Sequence, residues 1–125
     1  MSRATLLVVD DNEVVLKIAK EQLEDAGFSV VTTMSPLRIN PAIREHNPDL
    51  ILLDVHMPIL SGRRTAEILR QYKISKDIPI LLLSSADDDE LEKISQEFGL
   101  EGFVRKSDLG NDLVESIERA LSLRE

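Results

Sequence analysis

The hydrophobic residues of this 125-residue chain fall into two alternating patterns. In the first pattern, short runs of Val, Ile and Leu contain almost no polar residue. Such runs are typical of strands that are buried on both faces of a parallel sheet. Five of them occur, at residues 5–9, 28–32, 50–53, 80–83 and 102–104. The pattern therefore predicts five strands.

The second pattern places apolar residues three or four positions apart, as on one face of an amphipathic helix. It predicts helices after strands one, three, four and five. The expected buried positions are Val15, Ile18, Ala19, Leu23 and Ala26; Ala66, Leu69 and Tyr72; Leu91, Ile94, Ser95 and Phe98; and Leu113, Ile117, Ala120 and Leu121. Gly27 and Gly99 are expected to end the first and fourth helices. Asp87 with Glu90, and Asp108, are expected to cap the last two helices at their amino ends.

The helix after strand two is harder to place, because Pro36 and Pro41 interrupt its segment. Pro41 is expected at the first helical position with Asn40 as the cap, which gives a short helix to about His46. Strands and helices then alternate five times. We expect a doubly wound α/β fold, in which a parallel sheet carries helices on both faces, as one domain over residues 1–125.

Composition narrows the function classes. The chain has 23 acidic and 15 basic residues, a formal net charge of −8 and no Cys. These numbers argue against a nucleic-acid footprint, an anionic-lipid surface, disulfides and Cys-based zinc sites. The longest apolar runs have four residues, too short for a membrane span, and no secretory signal is recognisable. We therefore expect a cytoplasmic protein.

Polar side chains follow four of the five predicted strands. They are Asp10 and Asp11, Asp54, Ser84 and Ser85, and Arg105 and Lys106. In an open α/β sheet, ligands bind beyond the carboxyl ends of the strands, so these side chains are expected to converge. Carboxylate, hydroxyl and carbonyl oxygens favour Mg²⁺ or Mn²⁺. Phosphate complements such a site, and a carboxylate in it can attack phosphorus to form an acyl phosphate.

Four segments carry a family resemblance. They are VVDDN at residues 8–12, PDLILLDVHMP at 48–58 with Gly62 after it, IPILLLSSA at 78–86, and GFVRK at 102–106. Asp11, Asp54, Ser84 and Lys106 are separated by 43, 30 and 22 positions. Over essentially its whole length, the sequence resembles the receiver domain of two-component response regulators, including chemotaxis regulators. The resemblance implies the flavodoxin-like strand order 2-1-3-4-5.

The resemblance also implies a role for each residue of the site. Asp54 is expected to accept a phosphoryl group from a phosphohistidine. Asp11 is expected to bind the metal directly and Asp10 mainly through water. The backbone carbonyl of His56 is expected to be a further metal ligand.

Three further residues are expected to respond to the phosphoryl group. Lys106 would pair with Asp54 and then with the phosphate, and Ser84 would donate a hydrogen bond to a phosphate oxygen. Phe103 would change its rotamer with Ser84. The face formed by helix four, strand five and helix five would then change shape.

The resemblance implies classes of partner and output rather than individual proteins. We expect a sensor histidine kinase or histidine phosphotransfer protein, and a downstream effector protein or output domain. A homodimer of the phosphorylated form is a further hypothesis. We expect no activity as an enzyme beyond Mg²⁺-dependent self-phosphorylation and autodephosphorylation. The family usually has Pro after the Lys, but Ser107 stands there, so we expect a trans bond between Lys106 and Ser107.

Other functions fit the same fold. A haloacid-dehalogenase-like phosphohydrolase also uses an aspartyl phosphate, but it has an acid two residues after the nucleophile, where this chain has His56 and then Met57. A flavodoxin-like FMN protein needs a phosphate loop after strand one, where Asp10 and Asp11 would repel the phosphate. A receiver that only binds partners is disfavoured, because every chemical position is filled.

Overall fold

The computed structural model describes residues 3–55, 62–84, 88–106 and 113–122, and within them strands and helices alternate. The strands are β1 (Thr5–Val9), β2 (Ser29–Thr33), β3 (Leu50–Asp54), β4 (Ile80–Ser84) and β5 (Gly102–Arg105). The helices are α1 (Glu13–Asp25), α2 (Ile39–His46), α3 (Gly62–Gln71), α4 (Asp88–Phe98) and α5 (Leu113–Ser122). A 3₁₀ turn at Pro36–Arg38 precedes α2. All five predicted strands are confirmed to within one residue at each end.

The strands form one parallel sheet in the order β2-β1-β3-β4-β5. Val9 at the end of β1 pairs with Leu53 near the end of β3, and Asp54 pairs with Leu83 of β4. Because all five strands run in the same direction, their carboxyl ends lie along one edge of the sheet. The predicted fold class and strand order are confirmed.

Hydrophobic residues cover both faces of this sheet. Alternate strand residues, such as Leu6 and Val8, pack with α1 and α5 on one face. The intervening residues, such as Leu7 and Val9, pack with α2, α3 and α4 on the other face. Every residue of β3 is buried. Two-sided burial explains why the strands appear in the sequence as uninterrupted apolar runs.

Two residues expected in the core are exposed. Ile18 is 39% exposed, because the buried side of α1 is formed by Leu16, Ala19 and Leu23. Tyr72 is 50% exposed, because α3 ends at Gln71 and Tyr72 is no longer on the buried face of the helix. The other expected positions of α3, α4 and α5 are buried or packed against the core, which confirms the helical pattern.

Helix α2 begins earlier than predicted. Its first residue is Ile39, so Pro41 is the third residue, where a missing backbone N–H still costs no helical hydrogen bond. Asn40 is therefore inside the helix rather than its cap. The stops at Gly27 and Gly99 are confirmed, since both glycines have positive φ angles of 97° and 63°. The caps expected at Asp87 and Asp108 lie outside the described residues. In the described part of the chain, no helix has the length and apolar character needed to cross a membrane.

Candidate functional site

Three carboxylates meet at the carboxyl edge of the sheet. Asp10 and Asp11 directly follow β1, and Asp54 is the last residue of the neighbouring strand β3. One carboxylate oxygen from each residue lies within 4.8 Å of the others. Asp10 is 0% and Asp54 is 1% exposed, whereas Asp11 is exposed to solvent. The cluster is therefore a buried acidic pair with one acid at its opening.

Lys106 supplies the positive charge of the cluster. It follows β5 and places its Nζ 3.0 Å from Asp10 Oδ2 and 3.6 Å from Asp54 Oδ1. Burial has the largest single effect on the Lys106 pKa and lowers it, but the short contact with Asp10 and the negative charges of Asp54 and Asp10 together outweigh burial. The net result is a raised pKa, so Lys106 carries its positive charge at neutral pH.

Asn12 fixes the backbone beside these acids. Its backbone N–H donates to Asp10 Oδ1 at 2.8 Å, and its side-chain oxygen accepts from the N–H groups of Val14 and Val15 at 2.9 and 3.3 Å. Asn12 thus caps α1 and points the positive end of the helix dipole toward the acidic pair. Asn12 was not among the predicted site residues, although an Asn directly before a helix is a recognisable capping signal.

The charges and donor atoms of the cluster fit a divalent cation. Three carboxylates face one ammonium group, so negative charge remains in excess where Asp10 and Asp54 are shielded from water. Oxygen-only donors favour hard cations, and oxygens on opposite sides of Mg²⁺ are about 4.2 Å apart. One oxygen from each carboxylate lies within 4.8 Å of the others, which is compatible with that span, and exposed Asp11 leaves a path from solvent.

The remaining predicted site residues are only partly described. Ser84 ends β4 and pairs with Arg105 of β5, but its side chain lies outside the described residues. Phe103 is half-buried in β5 and packs against the core layer of α2, α3 and α4. It also lines a surface groove together with Leu100. His56, Ser85 and the bond from Lys106 to Ser107 lie outside the described residues, so those expectations stay predictions.

Known proteins share both this sequence pattern and this fold. Residues 6–118 match the family model described as the response regulator receiver domain. The polar-differentiation response regulator DivK of Brucella ovis is 31% identical over 103 residues, which cover 82% of this chain and 83% of DivK.

Two solved structures show the same similarity. The chemotaxis protein CheY4 of Vibrio cholerae superposes with a TM-score of 0.86 at 26% identity, covering 94% of this chain and 98% of CheY4. The BeF₃-activated receiver domain of Klebsiella pneumoniae RstA gives a TM-score of 0.82 at 27% identity, covering 94% of this chain and 97% of that domain. With the strand order, the acidic cluster and a family match over nearly its whole length, the chain belongs to the response regulator receiver domain family.

Proposed function

We propose that the chain is a phosphorylation-activated switch of a two-component or phosphorelay system, with Asp54 as the phosphoacceptor. The observation that carries the proposal is the position of Asp54. It ends a fully buried strand, lies next to exposed Asp11 and is 3.6 Å from the Lys106 ammonium. A carboxylate in that position can be approached from the Asp11 side, while Lys106 is at hand for the charge of an incoming phosphoryl group.

The reaction we propose is a direct transfer. A carboxylate oxygen of Asp54 attacks the phosphorus of a phosphohistidine on a sensor kinase or a histidine phosphotransfer protein. The O–P bond forms as the P–N bond breaks, and the departing imidazole nitrogen takes up a proton. Lys106 is close enough to neutralise negative charge on the transferred oxygens. The same site would later lose the phosphoryl group to water, so the chain modifies itself rather than turning over a separate substrate.

Mg²⁺ or Mn²⁺ is the cofactor we propose. Asp10, Asp11 and Asp54 would hold it, with the backbone carbonyl of His56 as a further ligand. When bound, it supplies positive charge against the phosphoryl oxygens. Asp10 has a second task, because the same carboxylate accepts the Asn12 N–H and pairs with Lys106. This dual contact fits the expectation that Asp10 acts on the metal mainly through water.

Output would pass through the face formed by α4, β5 and α5. Ser84 ends the strand next to β3, and Phe103 lies in β5 with part of its side chain at the surface. Phosphorylation adds about −1.5 to −2 charge at Asp54. Ser84 and Lys106 would bind the oxygens of this phosphoryl group. The Phe103 side chain would then change its rotamer with Ser84. This change would alter the face to which an effector protein or output domain binds. The cytoplasm, where the kinase and effector would be present, is the location we propose.

The test uses acetyl phosphate with Mg²⁺ and intact-protein mass spectrometry. We expect a single base-labile phosphoryl adduct on the native protein and none on Asp54→Asn. Asp49→Asn is the matched control, because Asp49 is exposed at the opposite end of β3 and accepts the Thr5 N–H, which an amide oxygen also can. Full-yield modification of Asp54→Asn, or no adduct on the native protein, would show the proposal to be wrong.

A further inference from the structure

Arg70 connects several elements at the edge of the sheet opposite Asp54 and Lys106. Arg70 lies in the last turn of α3, and its side chain is only 19% exposed. Its guanidinium donates to the carbonyl oxygens of Phe98, Lys76 and Ile78 at 3.2, 3.0 and 2.8 Å. One side chain thus connects the end of α3, the last residue of α4 and the segment leading into β4.

Glu101 extends this connection to β5. Its carboxylate is 3.7 Å from the Arg70 guanidinium, and Oε2 accepts the N–H of Ile80, the first residue of β4, at 2.9 Å. The backbone N–H of Glu101 donates to the Ile80 carbonyl oxygen at 3.0 Å. With a side chain 15% exposed, Glu101 is held by both side-chain and backbone contacts. The starts of β4 and β5 and the end of α4 are therefore bound to one another through Arg70 and Glu101.

A second contact acts on the same turn of α4. The Arg63 guanidinium, at the start of α3, is 2.5 Å from Glu97 and lies 5.4 Å from the centre of the Phe98 ring. Both partners of this ion pair are about half exposed, so it is weaker than the buried Arg70 connection. The last two residues of α4, Glu97 and Phe98, are thus both fastened to α3. The first residue of α4, Asp88, follows Ser84 by only four positions at the edge that carries Asp54.

From this arrangement we infer that Arg70 is a positioning residue that fixes the carboxyl end of α4, so that α4 pivots about Phe98 when the protein is activated. The inference rests on the proposed function and adds how its output face moves. The amino end of α4 is adjacent in the chain to the strand end that meets the phosphoryl group. The carboxyl end is bound to α3, β4 and β5 on the far side of the sheet. Displacement is therefore largest at Asp88–Leu91 and smallest at Glu97 and Phe98.

Backbone amide NMR with beryllofluoride and Mg²⁺, which mimic the phosphoryl group, tests this pivot. In the native protein, we expect the chemical-shift response to fall steadily along α4, from Asp89 to Phe98. An equal response at both ends, together with changes beside Asp54, would overturn the pivot while leaving the proposed function intact. No response beside Asp54 would overturn the proposed function and the pivot with it.

The Arg70→Met variant tests the residue itself. We expect the amides of Glu97, Phe98 and Glu101 to respond to beryllofluoride as strongly as the amino end of α4. Arg70→Lys keeps a cation near Glu101 but cannot reach three carbonyl groups at once, so it provides a milder variant with the same expected direction. Arg119→Met is the matched control, because Arg119 pairs only with Glu115 within α5 among its described contacts. An unchanged gradient in folded Arg70→Met or Arg70→Lys protein would refute the role of Arg70, because simple destabilisation would not alter where beryllofluoride acts.

Discussion

Two shielded cations occupy opposite edges of the same sheet, and their surroundings differ in kind. Lys106 faces the carboxylates of Asp10 and Asp54, with a third acid, Asp11, beside them. Among the contacts that the described residues show, Arg70 faces the carboxylate of Glu101 and donates to three backbone carbonyl groups. Negative charge is in excess around Lys106, whereas the Arg70 cluster is balanced and hydrogen-bonded. The cluster around Lys106 can thus accept a further positive charge, whereas the described partners of Arg70 already balance its charge.

The choice of cation follows the same division. A lysine ammonium is a compact charge on a flexible stem, so it can exchange one oxygen partner for another. An arginine guanidinium has a rigid fork of donors that holds several acceptors in fixed directions. Lys106 can therefore move from Asp54 to a new anion, while Arg70 keeps four points of the chain together. Charge excess and a compact cation distinguish the Lys106 cluster, for which we propose a reaction, from the structural Arg70 cluster.

Removing the guanidinium group from the Arg70 cluster is expected to have the largest effect on stability. Arg70→Met removes the donor from three carbonyl groups and leaves Glu101 as a poorly exposed charge, so the free energy of unfolding should fall by about 3 kcal/mol. Urea denaturation monitored by circular dichroism measures the change. Arg119→Met, which removes an exposed pair, should stay within about 0.5 kcal/mol of the native protein. Equal losses in both variants would contradict a structural role for the Arg70 cluster.

Binding of Mg²⁺ to the cluster around Lys106 should stabilise the protein almost as strongly. Mg²⁺ at 100 times its dissociation constant should raise the free energy of unfolding by about 2.7 kcal/mol, because the folded state alone brings the three carboxylates together. Urea denaturation with and without Mg²⁺ measures this difference. Asp11→Asn should lose most of the gain, whereas Asp49→Asn should keep it. An undiminished gain in Asp11→Asn would place the metal elsewhere.

Removing the Lys106 ammonium group should lower the free energy of unfolding by a smaller amount. Lys106→Met removes the ammonium group that pairs with the buried carboxylates of Asp10 and Asp54, and we expect the free energy of unfolding to fall by about 1–2 kcal/mol without metal. Mg²⁺ should restore more stability to this variant than to the native protein. Urea titrations at two Mg²⁺ concentrations compare the two proteins. If Mg²⁺ helps both equally, Lys106 and the metal do not neutralise the same carboxylates.

Neutralising Asp10 should have the smallest effect on the free energy of unfolding, and should raise it rather than lower it. Asp10→Asn keeps an oxygen for the Asn12 N–H but replaces the oxygen that faces Lys106 by an amide N–H₂. Because Asp54 stays beside Lys106 and the repulsion between carboxylates falls, we expect a net gain of about 1 kcal/mol without metal. Glu101→Gln, the matched change in the balanced cluster, should lose stability because the Arg70 guanidinium loses its counter-charge. Thermal unfolding at low ionic strength compares them. A loss in both variants would show that the two clusters are not different in kind.

The convergence of Asp10, Asp54 and Lys106 could be predicted from the sequence because each residue ends or follows a recognisable strand. Parallel strands bring their carboxyl ends to one edge, so Asp10, Asp54 and Lys106 could be placed together without knowing a distance. The Arg70 cluster could not be predicted in this way. Three of its acceptors are backbone carbonyl groups, which every residue has, and only the folded chain shows which ones an arginine reaches.

The errors in the helices have a similar origin. Ile18 and Leu16 lie at opposite borders of the apolar stripe of α1, so a small error in the helical phase is enough to bury one and expose the other. Proline favours the first helical turn and therefore predicts a start of α2 at Pro41, but the turn at Pro36–Arg38 leads directly into Ile39. Tertiary packing, which the local pattern does not contain, decided each of these cases.

The position of β5 has a consequence for how the protein matures. Lys106 follows this edge strand, which lies three strands, or about 14 Å, from β1, yet its ammonium reaches Asp10. During synthesis on the ribosome, Asp10, Asp11 and Asp54 emerge well before Lys106. Until the last strand docks, the acids lack their counter-charge and repel one another. The cluster of Asp10, Asp11, Asp54 and Lys106 is therefore completed in the same step that completes the sheet, so a nascent chain can carry out the proposed chemistry only once β5 has docked.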